Sequence, residues 1–406
     1  MDRKIIILIG DGMGDYPSKE LDGLTPLASA NTPYMDEVAK LGTCGTLKTL
    51  GDGMPLGSDI ACMNLLGYDP IKYYPGGRGP FEAEALGLEM DEGDLIFRAN
   101  LVCSSDSKMM DHSAGHITTE EAEELIKAVE SELGTSEISF HPGVSYRHIC
   151  RITDSEIQPE ELTCTPPHDI LRRELSEYWI KGKTDKAKSL SQKLNRLMEK
   201  SQEVLESHPI NRKRMMDGLP SANMIWLWGQ GKKPVLPSFA EKYGLKGSMI
   251  SAVDLVKGMA SLVGLKAIHV EGATGYLDTN FKGKVEAALD SLKKKDFVYV
   301  HVEAPDEASH EGSLKKKIEA IELFDKKIVR PILSGLRKEG YIFNLAVLCD
   351  HYTPISVRTH TSDPVPFAVY KSDQKGDEVK AFSEKDASNG GFGERAGLEF
   401  MKLLLK

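Results

Sequence analysis

Several features that would classify this chain quickly are scarce or missing. Cysteine occurs six times in 406 residues (Cys44, Cys62, Cys103, Cys150, Cys164 and Cys349), and no two form a CxxC pair. Six cysteines in so long a chain do not read as a disulfide framework, and a zinc–cysteine site has little support. The six read as free thiols in a reducing cytoplasm. Long hydrophobic runs are missing from the N-terminus: MDRKIIILIGDGMGD offers only Ile5 to Ile9, too short for a signal-peptide core or a membrane span. No long basic block stands out, and 61 acidic residues outweigh 51 basic ones to give a net charge of −10. The expectation is therefore no nucleic-acid partner and no membrane, with the acidic excess serving solubility. There is no Walker-type GxxxxGK[ST] loop, no internal repeat and no low-complexity tract. Nothing in the pattern bears on oligomeric state.

What is present is a large apolar fraction, 40% of the residues, enough for two or three domains. Three short runs share one design. Lys4 to Ile9 (KIIILI) leads into Asp11, Phe297 to Val302 (FVYVHV) into Asp306, and Phe343 to Leu348 (FNLAVL) into Asp350 and His351. Each is apolar almost throughout, as a strand buried on both faces of a parallel sheet must be. Helical patterns over Ser251 to Val263, Lys284 to Lys293 and Leu314 to Leu336 alternate with them. This alternation predicts an α/β layered fold with a mostly parallel sheet. The middle differs. It carries its own apparent strands, LIFRANLVC and VSYRHICRI, and a long charged helix expected from about Asp169 to Glu206 with a break near Gly182. Gly/Pro clusters, YYPGGRGP and GQGKKPVLP, flank it. The reading is a discontinuous first domain, 1–75 and 237–406, interrupted by a smaller α+β domain, 76–236.

Ligands in open α/β sheets bind beyond the carboxyl ends of the strands. The polar groups just after the three runs are therefore the candidates: Asp11 in IGDGMG, Asp306 and His310 in APDEASH, Asp350 and His351 in CDH, and His360 in RTHT. Ser58 in MPLGSDIA joins them, ahead of a helix-compatible run whose N-terminus would attract an anion. Singly, each has a plainer reading: Asp11 a turn former, Ser58 a helix N-cap, Asp350–His351 a strand-end cap. In this order, after strands, they read as ligands of divalent ions. Carboxylates with imidazoles suit Mn2+ or Zn2+ better than Mg2+. Seven ligands are too many for one ion and suit two, which together can clamp the attacking and leaving oxygens of a phosphoryl transfer. Ser58 fits as its nucleophile.

The same order resembles the alkaline phosphatase superfamily. The surrounding framework resembles its archaeal-type cofactor-independent phosphoglycerate mutases, in IIILIGDGMGDYP, GMPLGSDIACMNLLGYDP, GVSYRH, WLWGQG, ISAVDLVKG, GATGYLDTNF, HVEAPDEASHEG and RTHTSDPVPF. The resemblance implies a three-layer alkaline-phosphatase-like core. It implies one ion on Asp11, Ser58, Asp350 and His351 and a second on Asp306, His310 and His360. Mn2+ is the first expectation, with Zn2+, Co2+ or Mg2+ as the other ions, and 2,3-bisphosphoglycerate is not required. It also implies that 3-phosphoglycerate passes its phosphate to Ser58 and receives it back on the 2-hydroxyl, giving 2-phosphoglycerate. The inserted domain would hold the glycerate and exclude water. In that domain His116 takes the place of a general acid/base, with His112 nearby and less well placed; surface residues at a helix entry are the plainer reading of both. Arg147 is suited to a carboxylate or is a solvated strand charge. Lys257 resembles a phosphate-contacting lysine or is a surface helix lysine. His168 and Asp169 are substrate candidates or a helix cap. One departure stands out: NMIWLWGQG has no arginine where bacterial-type mutases carry a pair, although Arg212 and Arg214 lie just before it. The WLWGQG and PPHDI words also occur in a branch proposed to act as homoserine kinase. That activity and a metal-dependent phosphatase are the alternatives.

Overall fold

The structure is a computed structural model and describes residues 3–51 and 53–406. Two compact units divide the chain, Met1–Tyr73 with Leu236–Lys406, and Tyr74–Val235.

In the first unit an eight-stranded sheet runs in the order Lys266–Ile268, Gly247–Ile250, Phe297–Val302, Lys4–Gly10, Phe343–Leu348, Val365–Lys371, Thr43–Lys48, Gly393–Ala396. The first five are mutually parallel; Val365–Lys371 runs against both of its neighbours. The three apolar runs identified from the sequence are its centre. Phe297–Val302 and Phe343–Leu348 are buried at every position, as is Lys4–Gly10 beyond its first residue. Burial on both faces needs a helical layer on each side. One layer contains Pro33–Leu41, Phe281–Leu292, Leu314–Phe324 and Arg330–Lys338; the other contains Ser58–Leu65, Asp254–Leu262 and Phe400–Leu405. The result is the expected three-layer α/β core. The helix predicted over Leu314 to Leu336 is two helices joined by a π-helical turn, Asp325–Val329. Pro331, at the start of the second, lacks the N–H that an uninterrupted helix requires.

The second unit is built on an antiparallel five-stranded sheet. Leu95–Ser105 lies between Arg147–Ile152 and Met224–Gly231, and Ile138–His141 and Lys108–Asp111 complete it. The amphipathic helices Thr119–Leu133 and Asp185–Glu206 cover one core with their buried leucines. The long helix begins later than the sequence suggests. Lys181–Gly182 instead pairs with Leu162–Thr163 as a two-residue strand, and Thr184 accepts from the Ala187 N–H to start the helix. A local hairpin with its own N-cap thus outcompetes helical propensity over 169–184.

Candidate active site

Parallel pairing brings the carboxyl ends of Lys4–Gly10, Phe297–Val302 and Phe343–Leu348 to one edge of the sheet. Asp11 comes directly after the first strand. Gly12 next to it has φ +61°, and a Cβ there would lie 2.5 Å from Asp306 Oδ1, so only glycine lets these strand ends approach. Helix Ala304–His310 places Asp306 and His310 four residues apart on one face, with Nε2 and Oδ2 3.0 Å apart. Asp350 and His351 turn out of the third strand, and His360 comes from the loop before Val365–Lys371. Ser58 opens the eight-residue helix Ser58–Leu65. Gly57 precedes it and supplies no capping side chain, so the first turn presents its N–H groups and partial positive charge beside the hydroxyl.

The structure brings all seven predicted residues together. Asp11, Asp350 and His351 form one ligand-competent group, and Asp306, His351 and His360 form another, with ligand atoms within 4.8 Å of one another in each. His351 Nε2 lies 3.3 Å from Asp11 Oδ1 and 3.1 Å from Ser58 Oγ. His310 and His360 face each other, Nε2 to Nε2, at 3.2 Å, and His360 Nε2 is 3.6 Å from Asp306 Oδ1. Their Nδ1–H groups donate to the carbonyls of Arg358 and Leu56, each at 3.0 Å, so it is the Nε2 atoms that are turned toward Asp306.

These residues fit divalent cations. Asp11 Oδ1 and Asp350 Oδ2 are buried polar atoms without a hydrogen-bond partner among the described residues, and a metal ion satisfies such oxygens. The electrostatics agree. Burial, reinforced by the Asp350 and Asp306 charges, pushes Asp11 well above the usual carboxylate range. Burial works against ionisation of Asp350 too, yet His351 and His301 hold it below that range. Asp306 is likewise held low, against burial, by His310 and His360. Burial also lowers His351 to about 4, so its imidazole is neutral and available as a ligand.

Lys257 is half-buried and pairs with Asp254 on its own helix at 2.6 Å. The candidates of the inserted unit form a cluster of their own, in which the His112 ring meets those of Tyr146 and His168 edge-on at 5.8 and 5.9 Å. In the inserted unit His116 is exposed, three residues before helix Thr119–Leu133, with φ +51° and its ring 6.1 Å from that of Tyr146. Arg147 stacks over the same Tyr146 ring at 5.3 Å. His168 and Asp169 share a 3-10 turn, Pro167–Ile170, with His168 edge-on to Trp228 at 5.4 Å. Arg214 is engaged elsewhere: it donates to the Ala114 and Pro220 carbonyls and pairs with Glu121 at 2.6 Å. The arginine set against WLWGQG is instead Arg98, whose guanidinium lies 4.8 Å from the Trp228 ring and pairs with Glu82 at 3.1 Å, both side chains buried. Two further residues escape sequence reasoning. His301 is buried with Nε2 3.3 Å from Asp11 Oδ2; a lone imidazole inside FVYVHV was its only signal. Thr353, in the loop after His351, is the other.

A parallel-sheet α/β core carrying a hydroxyl at a helix N-terminus beside twin carboxylate–imidazole groups has the make-up of a metal-dependent phosphoryl-transfer enzyme. The comparisons narrow this class. A family model described as 2,3-bisphosphoglycerate-independent phosphoglycerate mutase matches residues 39–211. A protein of that name from Methanosarcina mazei is 48% identical over 404 residues, spanning 99% of this chain and 100% of the relative. One from Geobacter sulfurreducens, named as a probable such mutase, is 45% identical over 99% of both chains. Among solved structures, a Pyrococcus horikoshii protein superposes with TM-score 0.82 at 33% identity, covering 100% of this chain and 97% of its own. The cofactor-independent phosphoglycerate mutase of Thermoplasma acidophilum does so with TM-score 0.66 at 29% identity, covering 100% and 99%. The chain belongs to the 2,3-bisphosphoglycerate-independent phosphoglycerate mutase family. It is an isomerase of the intramolecular phosphotransferase kind, and neither alternative activity is favoured by these relatives. No helix among the described residues is long and apolar enough to cross a membrane.

Proposed function

We propose that this protein interconverts 3-phosphoglycerate and 2-phosphoglycerate through a phosphorylated Ser58, without 2,3-bisphosphoglycerate. The observation that carries the reading is Ser58 Oγ at a helix N-terminus, 3.1 Å from His351 Nε2 in the doubled carboxylate–imidazole cluster. Asp11, Ser58, Asp350 and His351 would hold one divalent ion, and Asp306, His310 and His360 a second. Mn2+ suits this oxygen–nitrogen set best, and Zn2+, Co2+ and Mg2+ are the other ions to test. Bound, the ions supply the positive charge that stabilises the Ser58 oxyanion and neutralises the phosphoryl oxygens.

The chain's own groups account for the rest. Ser58 Oγ, entering as the oxyanion, forms its bond to phosphorus as the bond to O3 of the glycerate breaks, and the N–H groups of its helix face the transferred phosphoryl. His116 gives a proton to the departing O3 and recovers one from the 2-hydroxyl as O2 attacks phosphorus and the Ser58 bond breaks. The cycle therefore returns every group to its starting state. Lys257 contacts the phosphate. Arg147, His168 and Asp169 hold the glycerate, so the inserted unit, 76–236, serves as the substrate-binding domain. Water must be kept from phospho-Ser58 during reorientation, since its attack would release free phosphate. Six unpaired thiols support a cytoplasmic setting.

Trapping tests this directly. Acid quenching during turnover of Mn2+-loaded protein with 3-phosphoglycerate, with peptide mass spectrometry of the product, should find phosphate on Ser58. Phosphate on another residue, or on none, overturns the assignment.

A further inference from the structure

The two proposed ligand sets, Asp11–Ser58–Asp350–His351 and Asp306–His310–His360, meet at a residue that belongs to neither. Thr353 is fully buried, two positions beyond His351. Its Oγ1 lies 2.5 Å from Asp306 Oδ1 and 3.2 Å from His351 Nδ1. One hydroxyl has one proton, and an ionised Asp306 can only accept, so the hydroxyl donates to Asp306. The Thr353 oxygen then accepts from His351 Nδ1–H. That hydrogen bond selects the tautomer in which His351 Nε2 carries a lone pair, toward Asp11 Oδ1 at 3.3 Å and Ser58 Oγ at 3.1 Å. Backbone carbonyls do the same for His310 and His360. For His351 the selector is a hydroxyl, and it also grips a residue of the other group.

The position of that hydroxyl is fixed from both sides. The Thr353 N–H donates to the Gly14 carbonyl at 3.2 Å, and the Thr353 carbonyl accepts from Lys317 Nζ at 3.0 Å. The same buried Nζ donates to the Gly14 carbonyl at 3.1 Å and pairs with Asp15 at 2.8 Å. The loop after Asp11 and the loop after His351 are thus tied to one lysine. On the opposite side, a Cβ on Gly12 would come within 2.7 Å of Thr353 Oγ1, so the hydroxyl already fills the space there.

We propose that Thr353 is a positioning residue that couples the two ion sites, holding His351 in its ligating tautomer and Asp306 in place through one hydroxyl, so that the sites fill together. The inference rests on the two-ion reading of the proposed function. Groups of this kind that orient metal ligands commonly change metal affinity by about 10–100-fold when removed.

The test is a Mn2+ titration of the metal-free protein, with free Mn2+ read by electron paramagnetic resonance and heats by calorimetry. Wild type should take up two ions in a single cooperative phase. Thr353→Val, which removes the hydroxyl at similar size, should weaken uptake about 10–100-fold and split it into two unequal steps. Thr353→Ser should titrate as wild type. Thr353→Ala, with no methyl group against the Asp306 carboxylate, stands in should the valine variant fail to fold by circular dichroism. Folded valine or alanine variants that bind both ions with wild-type affinity and cooperativity overturn the inference. A wild type that binds no divalent ion overturns it together with the two-ion reading. The mutase activity itself is decided separately, by product formation in wild type.

Discussion

Replacing Lys317 by methionine gives the sharpest test of how the site's scaffold is held. Lys317 is fully buried and its ammonium contacts Asp15, itself 4% exposed, along with the Gly14 and Thr353 carbonyls. Methionine conserves the shape of the stem and deletes the charge. Among the described residues Asp15 then keeps the backbone donors of Tyr16 and Ile355, at 2.7 and 3.1 Å, and two buried carbonyls lose a donor. Breaking a buried pair on one side costs about 3–5 kcal/mol. For a unit of this size that corresponds to a melting temperature lowered by about 6–20 °C. Equilibrium denaturation of the metal-free protein at pH 7, monitored by circular dichroism, measures the loss. Asp15→Asn combined with Lys317→Met removes the stranded carboxylate and should recover a substantial part of it. A single variant less than about 1 kcal/mol below wild type, or a double variant no more stable than the single, would refute the reasoning.

Three further outcomes are expected. Ser58→Ala should abolish transfer while leaving the thermal melt unchanged, because Ser58 sits partly exposed at a helix start; substantial residual mutase activity contradicts the nucleophile assignment. His148 is buried, its Nδ1 accepts from the Gly143 N–H, and burial lowers it to about 3. Its folded value lies below the unfolded value of about 6.5, so its contribution is complete above that pH and declines toward pH 3, by at most about 1.4 kcal/mol per pH unit. Acid denaturation of His148→Gln should be correspondingly shallower, and identical slopes contradict the burial argument. Finally, EDTA should inactivate the enzyme and excess Mn2+ restore it, with activity that survives exhaustive chelation as the contrary result.

Much of this was legible in the residues. The three central strands announced themselves because burial on both faces demands unbroken apolar runs, and the residues at the carboxyl end of such a run in a parallel sheet face the ligand. Asp11, Asp306 and Asp350 could be located for that reason, and His310 through its helical spacing from Asp306. His301 was hidden by the same logic, since an inward-facing imidazole looks like an interruption in an apolar strand. Thr353 and Lys317 carried no local signal: a threonine in a loop and a lysine in a charged helix are usually solvated, and only tertiary packing buries these two. Arg98 is similar. Its partner Trp228 lies far along the chain, and only strand pairing reveals that the stretch lacking arginine is packed against one.

The most direct test of the whole account is phosphorus NMR of chelator-quenched samples from the Mn2+-loaded protein incubated with 3-phosphoglycerate alone. The prediction is 2-phosphoglycerate rising to a steady ratio with its precursor, with no added 2,3-bisphosphoglycerate and no accumulating inorganic phosphate. Inorganic phosphate as the only product, or an unchanged spectrum, would contradict it.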